Sequence, residues 1–235
     1  MKRRKLSYWL FVRIPFWFVA GSVALVALLR YVPVRYTPLM AVRAVQHRDE
    51  EGFRTIRHWR SLSEISPEMV KAVIASEDNR FDNHRGFDWN EIGAMWSEHF
   101  QKGKKLRGCS TISQQTAKNV FTWGTPTLLR KGFEAWWTFL IERIWGKERI
   151  MEVYLNVAET GLGLYGAEAA ATAYYGIPAS RLKRSQAAGI AACLPSPLKM
   201  SPDHPTEYTR KRVSKIVSLI PKISYPDWVD NPSSL

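Results

Sequence analysis

The sequence predicts a mainly α-helical domain carried behind one membrane-spanning helix. Three observations lead there: an apolar run near the N-terminus flanked by basic residues, a series of segments with apolar residues at helical spacing, and no strand pattern of comparable strength. With 235 residues and 46% hydrophobic content, the chain has material for one packed domain once the anchor is set aside.

The anchor comes first. "MKRRK" is followed by "LSYWLFV", Arg13 and the run "IPFWFVAGSVALVALL" up to Arg30. The uncharged run falls slightly short of the ~20 residues of a spanning helix, and snorkelling of Arg13 lets the span start earlier. Lys2, Arg3, Arg4 and Lys5 in front, with Tyr8, Trp9, Phe16, Trp17 and Tyr31 near its ends, orient the helix with its N-terminus in the cytoplasm. No small-x-small cleavage site follows Leu29, so an uncleaved anchor is expected rather than a signal peptide. Residues 1–31 are thus read as basic tip and anchor, 32–65, with Pro33 and Pro38, as a juxtamembrane connection, and 66–235 as the domain beyond the membrane.

Helices dominate that domain. "SPEMVKAVIASE" offers Ser66 as N-cap and Pro67 at the first helical position. "RKGFEAWWTFLIERIW" repeats apolar residues at Phe133, Trp136, Trp137, Leu140, Ile141 and Ile144. "KERIMEVYLN", "YGAEAAATAYYG", "SQAAGIAACL" and "PTEYTRKRVSKIVSLIPKI" read the same way, several of them closed by Gly or Pro. Polar segments at "FDNHRGFD", "KGKKLRGCSTISQQ" and "TWGTPT" interrupt them, and loops placed by a helical scaffold are where binding residues collect.

The formal charge of +13 favours anionic partners: nucleic acid, phospholipid headgroups or a phosphorylated substrate. Nucleic acid is set aside, because no nucleic-acid motif accompanies the charge and the anchor places the domain outside the cytoplasm. Cys109 and Cys193 form no disulfide framework and are expected as thiols.

Glu77 follows Val70 by seven residues, Val73 by four and Ile74 by three, so it shares the apolar face of its helix. Partial burial disfavours a charged carboxylate, which suits a proton acceptor working near neutral pH; a cap or ion pair at the helix end is the competing reading. Glu134, one turn beyond Arg130 and beside Lys131, allows acid and bases to face one cleft, or to form a surface ion pair. "GCSTISQQTAKN" offers Ser110, Thr111 and Ser113 hydroxyls, Gln114 and Gln115 amides and the Lys118 cation, suited to sugar hydroxyls and phosphate oxygens. His84 is read as a structural hydrogen-bonding residue. With five histidines and no clustered Cys/His set, a zinc site is not expected. No GxGxxG, P-loop or GxSxG occurs.

Taken together, these segments resemble the family 51 peptidoglycan glycosyltransferases. "EDNRFDNHRGFD" resembles their EDxxFxxHxG motif, "GCSTISQQTAKN" their G-x-STI-x-QQ-xx-KN, "RKGFE" their RKxxE and "KERIMEVYLN" their K-x-x-I-x-x-x-YLN, in the same order, with the likeness running from about Ser66 to about Pro202. With no room for a penicillin-binding transpeptidase domain, the chain is similar to the single-domain members. The resemblance implies a lysozyme-like glycosyltransferase domain with a small membrane-associated lobe, in the bacterial inner membrane with its catalytic domain periplasmic. It implies lipid II as acceptor and an undecaprenyl-pyrophosphoryl glycan as donor.

On the motif match, Glu77 is the general base that takes the proton of the acceptor GlcNAc 4-hydroxyl, which attacks C1 of the donor MurNAc with inversion. Glu134 supports the pyrophosphate site or a divalent cation there, Mg or Mn, with no organic cofactor. Lys118, Arg130 and Lys131 stabilise the departing pyrophosphate. Ser110, Gln114 and Gln115 line the donor site, while Asp78, His84 and Asn119 stand in support. Other cell-wall synthases and division proteins are the expected neighbours. Two positions depart from the family pattern: Pro126 stands near a place where many relatives carry an arginine, and Gln186 stands where a glutamate is usual, a position assigned to packing or helix capping. The rivals are a lysozyme-like enzyme that cuts the same glycan, using a raised-pKa acid on a sugar leaving group, and an inactive membrane-anchored scaffold.

Overall fold

The structure is a computed structural model that describes residues 9–103, 108–123 and 127–233. Lys2, Arg3, Arg4, Lys5, Tyr8 and Pro126 lie outside the described residues.

A π-helical turn, Trp9–Arg13, leads into α1 (Ile14–Leu29). The stretch Phe11–Leu29, with mean hydropathy 2.0, is the one helix among the described residues long and apolar enough to cross a membrane. It is not isolated from the domain. Trp136 Nε1 donates to Ser22 Oγ at 3.2 Å and Trp145 Nε1 to the Val26 carbonyl at 2.7 Å, while Phe18 sets its ring edge-on to Phe133 and Trp137. These partners come from α6 (Leu128–Ile144) and the residue that ends it, so one face of the span is covered by protein while Phe11, Phe16, Trp17 and Leu28 stay exposed.

The segment 32–65 is more than a connection. Thr37 caps α2 (Pro38–Gln46), accepting from Met40 N, and Val34, Met40, Leu62 and Ile65 are buried. The expected boundary at Ser66 therefore marks no break in packing. Strand β1 (Ile56–Arg57) pairs in parallel with β3 (Leu164–Tyr165), which pairs antiparallel with β2 (Glu159–Gly161). Strands this short carry no readable alternation, which is why the sequence gives no warning of the sheet.

Helix α3 (Pro67–Glu77) begins as expected, with Ser66 Oγ accepting from Glu68 N and Pro67 in the first turn. It packs on α9 (Arg184–Cys193), which in turn packs on α10 (Glu207–Leu219). Close approach is possible because α9 buries Ala187, Ala188, Gly189, Ala191 and Ala192; a Cβ at Gly189 would lie 2.5 Å from the Tyr175 hydroxyl. Gln186 accepts from Lys183 N at 3.0 Å through its side chain, the capping role expected of it. The other half of the core gathers α5 (Ile112–Phe121), α6, α7 (Lys147–Val157) and α8 (Gly166–Tyr175). Helix α7 is buried all round, and its polar residues are paired internally, Arg149 with Glu152 and Asn156 with the Arg60 backbone. Helix α4 (Trp89–Lys102), capped by Asp88 and ended by a left-handed Gly103, carries the exposed Trp89, Trp96 and Phe100.

Candidate active site

Three elements meet at the site: the C-terminus of α3, the N-terminus of α5 and the flank of α10. Glu77 is the last residue of α3, its side chain 9% exposed. Donors surround it. Ser76 Oγ donates to Oε1 at 2.9 Å, Gln115 Nε2 donates to Oε2 at 3.1 Å, and the Arg212 guanidinium from α10 stands 3.9 Å from Oε1. Arg212 is itself fixed by bonds to the Ala192 carbonyl at 3.1 Å and to Ser76 Oγ at 3.2 Å.

The orientation of Gln115 is set from behind. Tyr154 of α7 donates its hydroxyl to Gln115 Oε1 at 3.1 Å, which turns the amide nitrogen toward Glu77. Burial first, then the charges of Glu77 and Asp78, raise the Tyr154 pKa well above the usual phenol value, so the hydroxyl stays a donor.

Asp78 holds a different part of the frame. Its carboxylate accepts from Ile112 N, at the start of α5, at 3.1 Å and meets His84 Nε2 at 2.9 and 3.0 Å. Because His84 Nδ1 accepts from Gly86 N at 3.2 Å, the proton belongs on Nε2, facing Asp78. Thr111 Oγ1 donates to the Gly86 carbonyl at 2.7 Å, closing the loop onto the α5 cap. Gly86 has φ +91°, and a Cβ there would lie 2.8 Å from Thr138 Cγ2 and 3.1 Å from Glu142 Cγ, so conformation and space both require glycine.

A hollow of about 710 Å³ opens over these groups, lined among others by Glu77, Asp78, Ser110, Gln115, Lys118 and Arg212. Lys118 lies one turn beyond Gln115 on α5 and also lines a second hollow of about 490 Å³, together with Asn119, Arg130, Arg43 and Glu159. It is the residue common to the two linings. Lys118 keeps a solvent-open side while protein crowds the rest of it; lost hydration lowers its pKa, Glu134 opposes that shift, and the Arg130 cation adds to it. Glu134, 2% exposed, accepts from Arg130 Nη1 at 3.0 Å and from Lys131 Nζ at 2.5 Å. Arg130 Nε is buried without a protein acceptor.

Among the predicted residues, Glu77, Asp78, Ser110, Gln115 and Lys118 share the first hollow, and Lys118, Asn119 and Arg130 share the second. Lys131 lines neither and reaches the site through Glu134. Gln114 is buried, its side chain accepting from Thr111 N at 3.0 Å in a reciprocal cap of α5. His84 acts through Asp78. No disulfide joins Cys109, which lines the first hollow, to the buried Cys193. Sequence reasoning gave no site role to Arg212, Tyr154, Arg43 or Glu159. Arg43 and Glu159 form an ion pair at 3.0 Å along the second hollow. Among the described residues no group of three or more His, Cys, Asp and Glu stands together, and both oxygens of Glu134, the residue expected to support a divalent cation, accept from Arg130 and Lys131.

The family model described as "Transglycosylase" matches residues 45–220. The chain is 50% identical to the biosynthetic peptidoglycan transglycosylase of Caulobacter vibrioides, over 84% of each chain. It is 49% identical to the Pseudomonas aeruginosa protein of the same description, over 85% of this chain and 86% of that one. With the Bacteroides thetaiotaomicron protein, also so described, identity is 48% over 87% of this chain and 84% of the other. A mainly helical domain matched over most of its length, behind one helix able to span a membrane, places this chain in the peptidoglycan transglycosylase family, whose members are glycosyltransferases of cell-wall synthesis.

Proposed function

We propose that this enzyme polymerises lipid II. The GlcNAc 4-hydroxyl of the acceptor gives its proton to Glu77 and its oxygen bonds to C1 of the donor MurNAc from the face opposite the leaving group. The C1–oxygen bond to phosphate breaks, and undecaprenyl pyrophosphate departs toward Lys118 and Arg130. One observation carries this reading: a carboxylate and a run of cations line two hollows that share Lys118 as a wall. A base at one end and positive charge at the other match a displacement that loses a proton from the nucleophile and gathers negative charge on the leaving group.

Two details support the assignment of ends. The buried Arg130 Nε lacks an acceptor, and a phosphate oxygen supplies one. Lys118, crowded by Arg130 and Lys131, gains from an anion held among them. An enzyme that cuts finished glycan must protonate a sugar oxygen; a pyrophosphate leaves without that help, and only there do the cations have a task. The anchor, with its N-terminal basic residues cytoplasmic, keeps the domain at the periplasmic face, where enzyme and lipid-linked substrate meet in two dimensions.

Purified full chain supplied with lipid II is expected to make glycan polymer, and Glu77→Gln to lower turnover by about 10²- to 10⁴-fold with an unchanged melting temperature. Wild-type polymer synthesis by that variant overturns the role of Glu77. Cleavage of finished glycan without consumption of lipid II overturns the reaction itself.

A further inference from the structure

A third hollow, of about 280 Å³, lies apart from the cleft and is lined by Val34, Arg35, Arg57, His58, Trp59 and Asn156. No carboxylate lines it. Arg35 and Arg57 make no ion pair and donate no hydrogen bond to a protein acceptor among the described residues. The nearby acids are already committed, Glu168 to Arg60 at 2.9 Å and Glu152 to Arg149 at 2.5 Å. Arg57 Cζ sits 3.7 Å from the ring centroid of Tyr36, a stack that fixes the guanidinium while leaving its N–H edge unspent.

The depth of this hollow follows from its wall. The Trp59 ring centroid is 5.2 Å from Arg149 Cζ, and Arg149 Nη2 donates to the carbonyls of Leu29 at 2.8 Å and Val32 at 2.7 Å. Leu29 is the last residue of the span. One guanidinium therefore links the wall of the hollow to the end of the span, where a polar headgroup layer on the order of 5–7 Å thick would begin. Trp59 and Tyr36 are residues that settle at that depth.

We propose that this hollow binds the phosphodiester headgroup of an anionic phospholipid in the leaflet that the domain faces. Arg35 comes from the irregular segment that leaves the span and Arg57 from β1, so one phosphate held between them ties the membrane exit to the sheet. The planar fork of arginine matches phosphate oxygens, and basic hollows beside spanning helices suit anionic headgroups. The lipid is a bystander to the reaction, so the inference stands apart from the mechanism proposed above.

The test titrates full chain in detergent micelles with short-chain phosphatidylglycerol, short-chain phosphatidylcholine and inorganic phosphate, scoring bound molecules by native mass spectrometry. Phosphatidylglycerol is expected to bind in preference to the other two. Arg35→Gln with Arg57→Gln is expected to weaken it about fivefold per arginine. Arg181→Gln with Lys222→Gln, which removes the same charge from exposed positions elsewhere, leaves binding unchanged. Arg35→Gln alone, at an exposed residue with no protein partner, is expected to show its fivefold share even where the double variant unfolds. Equal binding of the two lipids, equal losses in the two double variants, or saturation by inorganic phosphate with no preference for lipid overturns the proposal.

Discussion

Glu77 receives its orientation from Tyr154 at second hand. The phenol fixes the Gln115 amide, and the amide meets the carboxylate, so a hydroxyl that touches neither substrate hollow controls where the proposed base points. Tyr154→Phe frees the amide to turn its oxygen toward Glu77. Turnover is expected to fall about tenfold while KM for lipid II stays within about twofold, and stability to drop by about 1 kcal/mol for the lost buried bond. Steady-state kinetics with a thermal melt separates these effects; a change in KM alone refutes the relay. At this scale the sequence was partly legible. Glu77 announces itself as a carboxylate on an apolar helical face, and Lys118 as the cation that follows the hydroxyls and amides of "GCSTISQQTAKN". Arg212 could not announce itself: it lies in a basic amphipathic helix and reaches Glu77 only because the fold packs α10 against both α9 and α3.

Among elements, the loop from Asp78 to Asp88 does the most with the least regular structure. It threads Asp78, His84 and Gly86 into contact with the start of α5, so the cation-bearing helix is held against the carboxylate-bearing one. Gly86→Ala puts a methyl group into Thr138 and Glu142 at a positive φ; a loss of about 1–3 kcal/mol is expected, read as a lower melting temperature, together with reduced lipid II turnover. An unchanged melt shows that the loop yields. The sequence reveals α3 by its cap and α6 by its apolar stripe, yet passes over α2 and α4. Helix α2 is short, and Pro33 before it and Pro38 at its start read as a connection. Helix α4 has both a cap at Asp88 and a stop at Gly103, but its large residues face outward, so no buried stripe marks it.

In the molecule as a whole, buried and half-buried phenols set a limit at high pH. Burial raises the pKa of Tyr175 and Tyr225 to about 12 and pushes Tyr154, Tyr165 and Tyr174 upward too. For an acid whose pKa is higher in the fold than in the unfolded chain, the neutral form favours the fold. That contribution is complete below the unfolded value of about 10 and is lost as pH rises through the folded one. Stability is expected to be flat in this respect up to about pH 10 and to decline beyond it, and Tyr154→Phe is expected to shallow the decline; denaturation followed by circular dichroism from pH 8 to 12 checks both.

The indole contacts from Trp136 and Trp145 to Ser22 and Val26 have a mechanical meaning. The span works as a bracket rather than a leash, tying the direction in which the domain faces to the direction of the helix. Cutting the chain before Arg30 discards the bracket and bares Phe133, Trp136 and Trp137 to water, turning a mounting face into a sticky one.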